Sequence, residues 1–373
     1  MVAARPRGWV RGHLTDLAPI RRALADLGAG RDAPDLGIPL GGLFGSVDFG
    51  GTYCFGIYPE CLVFLHGEQR WIEVGSLSQH LRPPSAAAPP ALALRPRWSR
   101  GSFTAAVEKA LDYIAAGDIY QANLAQPFEA RWPGGAADAF ALYGRLRDCS
   151  PAPMAAFLDQ PDRAVLSSSP ESFLRMSGGV IRTRPIKGTR PRFADPAQDE
   201  KSAYDLLTSQ KEIAELVMIT DLERNDLGQV CEFGSVRVEE LLKLERFAQV
   251  FHLVSTVRGT LRGGIDHAAA LQACSPGGSI SGAPKKRALE IIAELEPFPR
   301  GLYTGAVGYL GANGESHFSI AIRTAVAERG RFHFHTGAGI VADSDPGREY
   351  EETLHKAAGI VQAAGGDLDR LRA

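Results

Sequence analysis

FHFHTGAGIV (332–341), followed after a short break by EYEETLHKAAGIVQAA (349–364), decides the fold class of this chain. The first segment reads as a long β-rich run. The second reads as a helix that begins after the Pro346-Gly347 turn. Working outward, Phe247–Leu261 and Gly305–Leu310 are further β-rich stretches, and Tyr204–Met218 and Lys285–Leu295 are further helices. Phe103–Ala116 places Phe103, Val107, Leu111 and Ile114 on one helical face and stops at Gly117. These elements do not alternate as a steady βαβα series. The expectation is therefore an α+β protein with mainly antiparallel sheet. Gly337-Ala338-Gly339 lacks a third glycine at dinucleotide-binding spacing and leads into strand, not helix. Gly277–Gly282 has the glycine spacing of a phosphate loop, but Ala283-Pro284 stands where Lys and Ser/Thr are required.

Residues 9–75 read as a small β-rich region with a helix at Leu17–Leu27 and short strands at Leu62–Leu65 and Trp71–Val74. RPPSAAAPPALALRPR (82–97) has no periodicity and reads as a linker. The expected division is an N-terminal region at 1–81, a linker at 82–101, a main domain at 102–364 and a tail at 365–373. Lys plus Arg number 41 and Asp plus Glu 43, a net charge of −2. That balance argues against a nucleic-acid coat or a polybasic membrane binder. No apolar run approaches the roughly 18 residues of a membrane span; Phe318–Ala327 is interrupted by Arg323. The five Cys form no CxxC pair and read as reduced thiols. Met1–Leu14 carries three arginines but no apolar signal core, so the expected location is cytoplasmic.

Three constellations carry chemistry. Glu349 and Glu352 lie three apart on one helix face, and Glu212 and Glu215 repeat that spacing in QKEIAELVMITDLERND. Carboxylates from two helices suit Mg²⁺, which takes hard oxygens and keeps several waters. The blander reading is solvated helix faces, although Glu215 precedes the apolar run Leu216–Ile219. Lys187 in RTRPIKGTRPR is crowded by Arg182, Arg184, Arg190 and Arg192. Like charge and burial lower a lysine pKa and make a nucleophile; the alternative is an anion-binding loop or a surface turn. In SPGGSISGAPKKRALEIIAELE (275–296), Ser281-Gly282 are cap candidates, and the glycine-rich amides suit a carboxylate or simply begin a helix. His252 sits in an apolar run, as core histidines do. Arg323, inside FSIAIRTAV, needs a partner, and an anionic ligand is one candidate.

Together these segments resemble the chorismate-utilising enzyme family from about Phe103 to Ala358. The resemblance is carried by GDIYQANLAQ (117–126), SPESF (169–173), PIKGT (185–189), DLERNDLG (221–228), HLVSTVRG (252–259), GSISGAPK (278–285), YTGAVGY (303–309), IAIRT (320–324), TGAGIV (336–341) and EYEETLHKA (349–357). It implies a large, mainly antiparallel β-sandwich flanked by helices. Within the family, Lys187 resembles the aminodeoxychorismate synthase branch, since anthranilate synthases carry Ala there. Isochorismate and salicylate synthases carry a Lys at the position of Gln121. The implied reaction joins chorismate and ammonia to give 4-amino-4-deoxychorismate, the precursor of p-aminobenzoate and folate. The neighbouring readings are an anthranilate or 2-amino-2-deoxyisochorismate synthase, or a non-catalytic chorismate-binding paralogue.

The resemblance also implies roles. Lys187 is the nucleophile, Glu171 the general acid, and His252 lies near the ring. Mg²⁺ is held by Glu215 and Glu352, with Glu349 close by. Tyr303 and Arg323 bind the enolpyruvyl group. Gly188, Thr189, Ser279, Gly337, Ala338, Gly339 and Lys356 line the carboxylate sites. No Cys lies in a Gly-x-Cys-x-Gly elbow, so a separate glutaminase subunit is expected to supply ammonia. GGLFGSVDFGG (41–51) resembles a shortened form of the family's N-terminal segment. It lacks a Leu-Glu-Ser element, and the expectation is that tryptophan does not bind.

Overall fold

The computed structural model describes residues 1–28, 37–82, 89–247 and 249–372; six residues of the expected linker, 83–88, lie outside that set. Two large sheets dominate, and every strand pair within them is antiparallel. Helices flank them, so the α+β expectation is met. The ten-stranded sheet runs Gly8–His13, Thr52–Tyr58, Gly42–Val47, Ala306–Gly311, Glu315–Ile320, Ser172–Ser177, Val180–Arg184, Val250–Thr260 and Ile186–Pro191, with Arg237–Arg246 also on Val250–Thr260. The seven-stranded sheet runs Gly282–Ala283, Gln121–Arg131, Arg331–Ile340, Thr324–Glu328, Arg163–Ser169 and Met154–Gln160, with Arg95–Pro96 on Gln121–Arg131.

The strand Gln121–Arg131 shows how the smaller sheet makes a core on one face and a polar wall on the other. Ala122, Leu124, Phe128 and Ala130 share one face by the two-residue period and enter the helix-covered core. Phe128 stacks on its cross-strand partner Phe334 with centroids 5.0 Å apart. Four helices, Arg100–Ala115, Ala136–Cys149, Lys285–Leu295 and Pro346–Ala363, bury Phe103, Leu142, Ile291 and Leu354 against this face. The larger sheet has its own core, with Ile20 from helix Ala18–Asp26 and Leu271 from helix His267–Cys274. A small cluster of Val165, Leu302, Val307, Ala321 and Val326 joins the sheets. So does Arg163, which donates to Asp48 at 2.8 Å and Ser46 at 3.0 Å.

Local details differ from the sequence reading. Tyr204–Met218 is two helices, Pro196–Leu207 and Gln210–Gly228, broken where the Ser209 hydroxyl caps the second. Ser281-Gly282 is not a helix cap. Pro284 holds that position, and Gly282–Ala283 pairs with Gln121–Ala122. A Cβ on Gly282 would fall 2.2 Å from the Gln121 carbonyl, so only glycine admits this pairing. Among the described residues no helix is long and apolar enough to cross a membrane.

Candidate active site

A cleft of about 480 Å³ opens between the two sheets, lined by the Lys187 strand, helices Gln210–Gly228 and Pro346–Ala363, and the end of strand Arg331–Ile340. Of the expected site residues it gathers Glu171, Lys187, Gly188, Thr189, Glu215, His252, Ser279, Tyr303, Arg323, Gly337, Gly339, Glu352 and Lys356. Two do not line it. Ala338 points the opposite way from its glycine neighbours, into the helix-covered core. Glu349 is buried and accepts from the Ser344 hydroxyl at 2.7 Å.

Lys187 is placed by an irregular strand pairing. It lies opposite Leu253, and Thr189 lies opposite His252, with a register shift between them. Gly188 makes the shift at φ +71°. A Cβ there would meet Leu206 Cδ1 at 2.6 Å and Glu212 Oε2 at 3.2 Å. His252 is fixed through Nδ1, 3.0 Å from Thr189 Oγ1, and burial pushes its ring below the usual histidine range. The flanking arginines do not crowd Lys187 with unpaired charge, contrary to the sequence expectation. Arg182 pairs with Glu239, Arg184 with Glu245, Arg190 with Glu212 and Arg192 with Asp199. The charges that share a field with Lys187 are the carboxylates of Glu171, Glu215 and Glu352.

These three carboxylates differ in character. Glu171 is buried, and desolvation raises its pKa against the opposing pull of the Ser279 hydroxyl and Lys187. The Ser279 hydroxyl faces it without closing a hydrogen bond of normal geometry. Burial raises Glu215 as well, and the charges of Glu212 and Glu352 add to the effect. At Glu352 burial acts in the same sense, but Lys356, Lys211 and Lys187 outweigh it and hold the carboxyl below its ordinary value. Lys356 lies 2.6 Å from Glu352 and donates to the Gly337 carbonyl at 2.9 Å. Among the described residues no three Asp, Glu, His or Cys side chains converge on one point. The mutually repelling pair Glu215 and Glu352, on facing helices, nonetheless fits a divalent ion that takes one or two protein carboxylates and fills its shell with water and ligand oxygens.

The opposite wall has unmet polar capacity. Arg323 sits at φ +48° where the chain passes from one sheet to the other. Burial alone acts on its guanidinium, which forms no ion pair among the described residues. Asn123 Oδ1, Ser279 Oγ and His335 Nε2 are buried without hydrogen-bond partners, and all three residues line the cleft. Native structures keep few such atoms, and a cleft lined with them calls for a polar ligand. Gly337 and Gly339 bring the strand close. A Cβ on Gly337 would strike Tyr303 Oη and Asn123 Oδ1 at 2.7 Å, and one on Gly339 would strike Gln121 Nε2 at 2.4 Å. Asn123 and His335 were not singled out from sequence. Their signal was the polar residue alternating with apolar ones inside otherwise buried strands.

Residues 49–362 match the family model described as chorismate binding enzyme. Anthranilate synthase component 1 of Streptomyces coelicolor is 47% identical over 289 residues, 75% of this chain and 55% of that protein. Aminodeoxychorismate synthase component 1 of Bacillus subtilis is 42% identical over 301 residues, 79% of this chain and 62% of that protein. The chain thus spans little more than half the length of the curated relatives it matches. The crystal structure of anthranilate synthase component I from Streptococcus pneumoniae superposes with a TM-score of 0.82 at 30% identity, covering 96% of this chain and 91% of that one. By the extent of these matches and the motifs gathered around one cleft, the chain belongs to the chorismate binding enzyme family.

Proposed function

We propose that this chain aminates chorismate at C4, giving 4-amino-4-deoxychorismate. The observation that carries the reading is Lys187 inside the cleft, beside Gln121 and Gly339 and facing Glu171. A lysine amine there is a nucleophile that an alanine cannot replace. Gln121, at the neighbouring position, cannot act as a base towards water.

Chorismate carries two carboxylates. Arg323, Tyr303 and the amides near Gly337 and Gly339 bind the one on the enolpyruvyl ether. Glu215 and Glu352 would hold Mg²⁺ on the side of the ring carboxylate, and the ion would supply Lewis-acid polarisation of the ring. Lys187, as the neutral amine, attacks C2 while Glu171 gives its proton to the departing C4 hydroxyl, releasing water. Burial keeps Glu171 protonated to higher pH than an ordinary carboxyl, as a donor to hydroxide requires. The Glu171 carboxylate then takes the proton left on the new secondary amine. Ammonia attacks C4, Glu171 returns the proton to Lys187 as it leaves C2, and the carboxylate receives the surplus proton of the new ammonium. His252, held neutral by burial, borders the ring without adding charge. Ammonia comes from a separate glutaminase subunit or from solution.

A second reading, anthranilate synthase, is favoured by the name borne by most of the curated relatives reported for the match. One experiment separates the two. The chain is incubated with chorismate, Mg²⁺ and an ammonium salt, with and without an aminodeoxychorismate lyase. p-Aminobenzoate that forms only with the lyase supports the proposal. Anthranilate formed without the lyase assigns the second reading.

A further inference from the structure

Behind the cleft lies a cluster of buried charge to which no role has been assigned. Glu223 and Asp226, one turn apart on helix Gln210–Gly228, are each 2% exposed. Glu223 Oε1 accepts from the Ser279 amide at 3.2 Å, and Oε2 accepts from Thr183 Oγ1 at 3.1 Å. Lys285 Nζ sits 2.5 Å from both Asp226 oxygens and donates to the Pro276 carbonyl at 2.9 Å. The loop from Pro276 to Ser279 is therefore hung from this helix by its own backbone. On its other side Arg300 donates to the Ile280 carbonyl at 3.3 Å, to Thr304 Oγ1 at 3.1 Å and to the Asn123 carbonyl at 2.6 Å. A Cβ on Gly278 would lie 2.8 Å from Leu222 Cγ and 3.2 Å from Glu223 Oε1, so the loop is pressed onto the helix.

The suspended loop reaches the cleft at Ser279 and Ile280, and Ser279 brings the polar group. The Ser279 hydroxyl is buried, unpartnered and beside Glu171. Resting on the reading of the cleft as a chorismate site, we propose that Glu223 is a positioning residue: by holding the Ser279 amide it aims the Ser279 hydroxyl at the bound substrate. The electrostatics agree with this geometry. Burial first, then the charge of Asp226, pushes the Glu223 carboxyl up to about 8, with Glu171 adding to the rise and Lys285 and Thr183 opposing it. Cys274, from helix His267–Cys274, with Cys231 behind it, also faces the cluster, and burial raises its thiol well above the ordinary cysteine value. At neutral pH Glu223 is therefore a neutral acid, its hydrogen bond with Thr183 Oγ1 then running from the acid to the hydroxyl, and it places no extra negative charge behind Glu171 or near a dianionic ligand. Ionisation at higher pH adds that charge and weakens binding.

The test is calorimetric titration with chorismate and Mg²⁺ in the absence of ammonia, with the parent and every variant carrying Lys187→Ala so that neither the covalent adduct nor turnover enters. Glu223→Gln preserves an acceptor for the Ser279 amide and a polar partner for Thr183. It should bind as the parent does at pH 7 and lose the decline in affinity that the parent shows above about pH 8. Glu223→Leu should bind about tenfold more weakly. Placed on Ser279→Ala, Glu223→Leu should add less than twofold, because the two changes remove one interaction. Full additivity of the pair, or Glu223→Gln matching the parent's alkaline decline, overturns the inference while leaving the chorismate reading intact. Failure of the parent to bind chorismate overturns both. Should Glu223→Leu fail to fold, the pH profile of Glu223→Gln decides alone.

Discussion

Replacing Arg323 with glycine should stabilise the ligand-free protein and weaken the enzyme at the same time. Arg323 holds φ +48°, a left-handed conformation that costs a side-chain-bearing residue about 1–2 kcal/mol. Its guanidinium is also drawn away from water with no acid to meet it, and burial works against its charge. Glycine removes both penalties and gives back about 0.5–1 kcal/mol through the freer unfolded chain. The net expectation is a gain of about 1 kcal/mol, a rise of roughly 1–2 °C in the melting temperature for a chain of this length. The same change removes a charged hydrogen-bond donor from the anion wall, worth about 1.5–3 kcal/mol, which is roughly a 10- to 150-fold rise in the KM for chorismate. Thermal melts of the ligand-free variant, set beside steady-state kinetics with saturating ammonium, read both effects. A lower melting temperature together with an unchanged KM refutes the reasoning, because it means that Arg323 is held by the protein and not held for a ligand.

Lys187→Ala should abolish 4-amino-4-deoxychorismate formation in the lyase-coupled assay and leave only direct attack of ammonia at C2; undiminished product removes Lys187 as nucleophile. Glu215→Gln and Glu352→Gln should each raise the Mg²⁺ concentration for half-maximal activity tenfold or more, since a lost charged ligand costs on the order of 1.4 kcal/mol or more; unchanged Mg²⁺ dependence in both takes the pair out of the metal site. Away from the cleft, the His333 hydrogen bond, helped by Arg331, holds the Glu328 carboxyl at about 2 against a burial effect that opposes it. A depressed folded-state pKa contributes stability above the unfolded value, lost as pH falls through the folded one. Urea melts of Glu328→Gln should therefore lose stability less steeply than the parent between about pH 4.5 and 2, and parallel losses would dismiss the contact.

Fold class was legible from local patterns, whereas cleft residues such as Glu171, Ser279 and Tyr303 were legible only through the family resemblance. Helix Lys285–Leu295 was bounded correctly by its apolar spacing, and the β-run Phe332–Val341 differs by one residue at each end from the strand Arg331–Ile340. No Gly or Pro marks the helix break at Thr208-Ser209; its local signal is Ser209 three residues ahead of Glu212, the spacing of the cap that fixes it. The charge around Lys187 was misread for a different reason. Partners such as Glu239 and Glu245 come from another strand, and their approach depends on strand pairing that no local window encodes. The role of Glu223 was hidden likewise: DLERNDLG reads as an ordinary helix until the Ser279 loop is laid against it.

The N-terminal strands have a consequence for any attempt to trim the chain to its motif-bearing part. Gly42–Val47 is buried along its whole length and pairs residue for residue with Ala306–Gly311, which continues directly from the Tyr303 turn. A fragment starting near residue 102 would bare six residues of unpaired backbone on Ala306–Gly311 together with the apolar side chains that Phe55 and Leu43 now cover. Bare strand edges of that kind recruit other chains. Such a fragment should be soluble only at low concentration and should grow into larger species on standing, even with every residue of the cleft present.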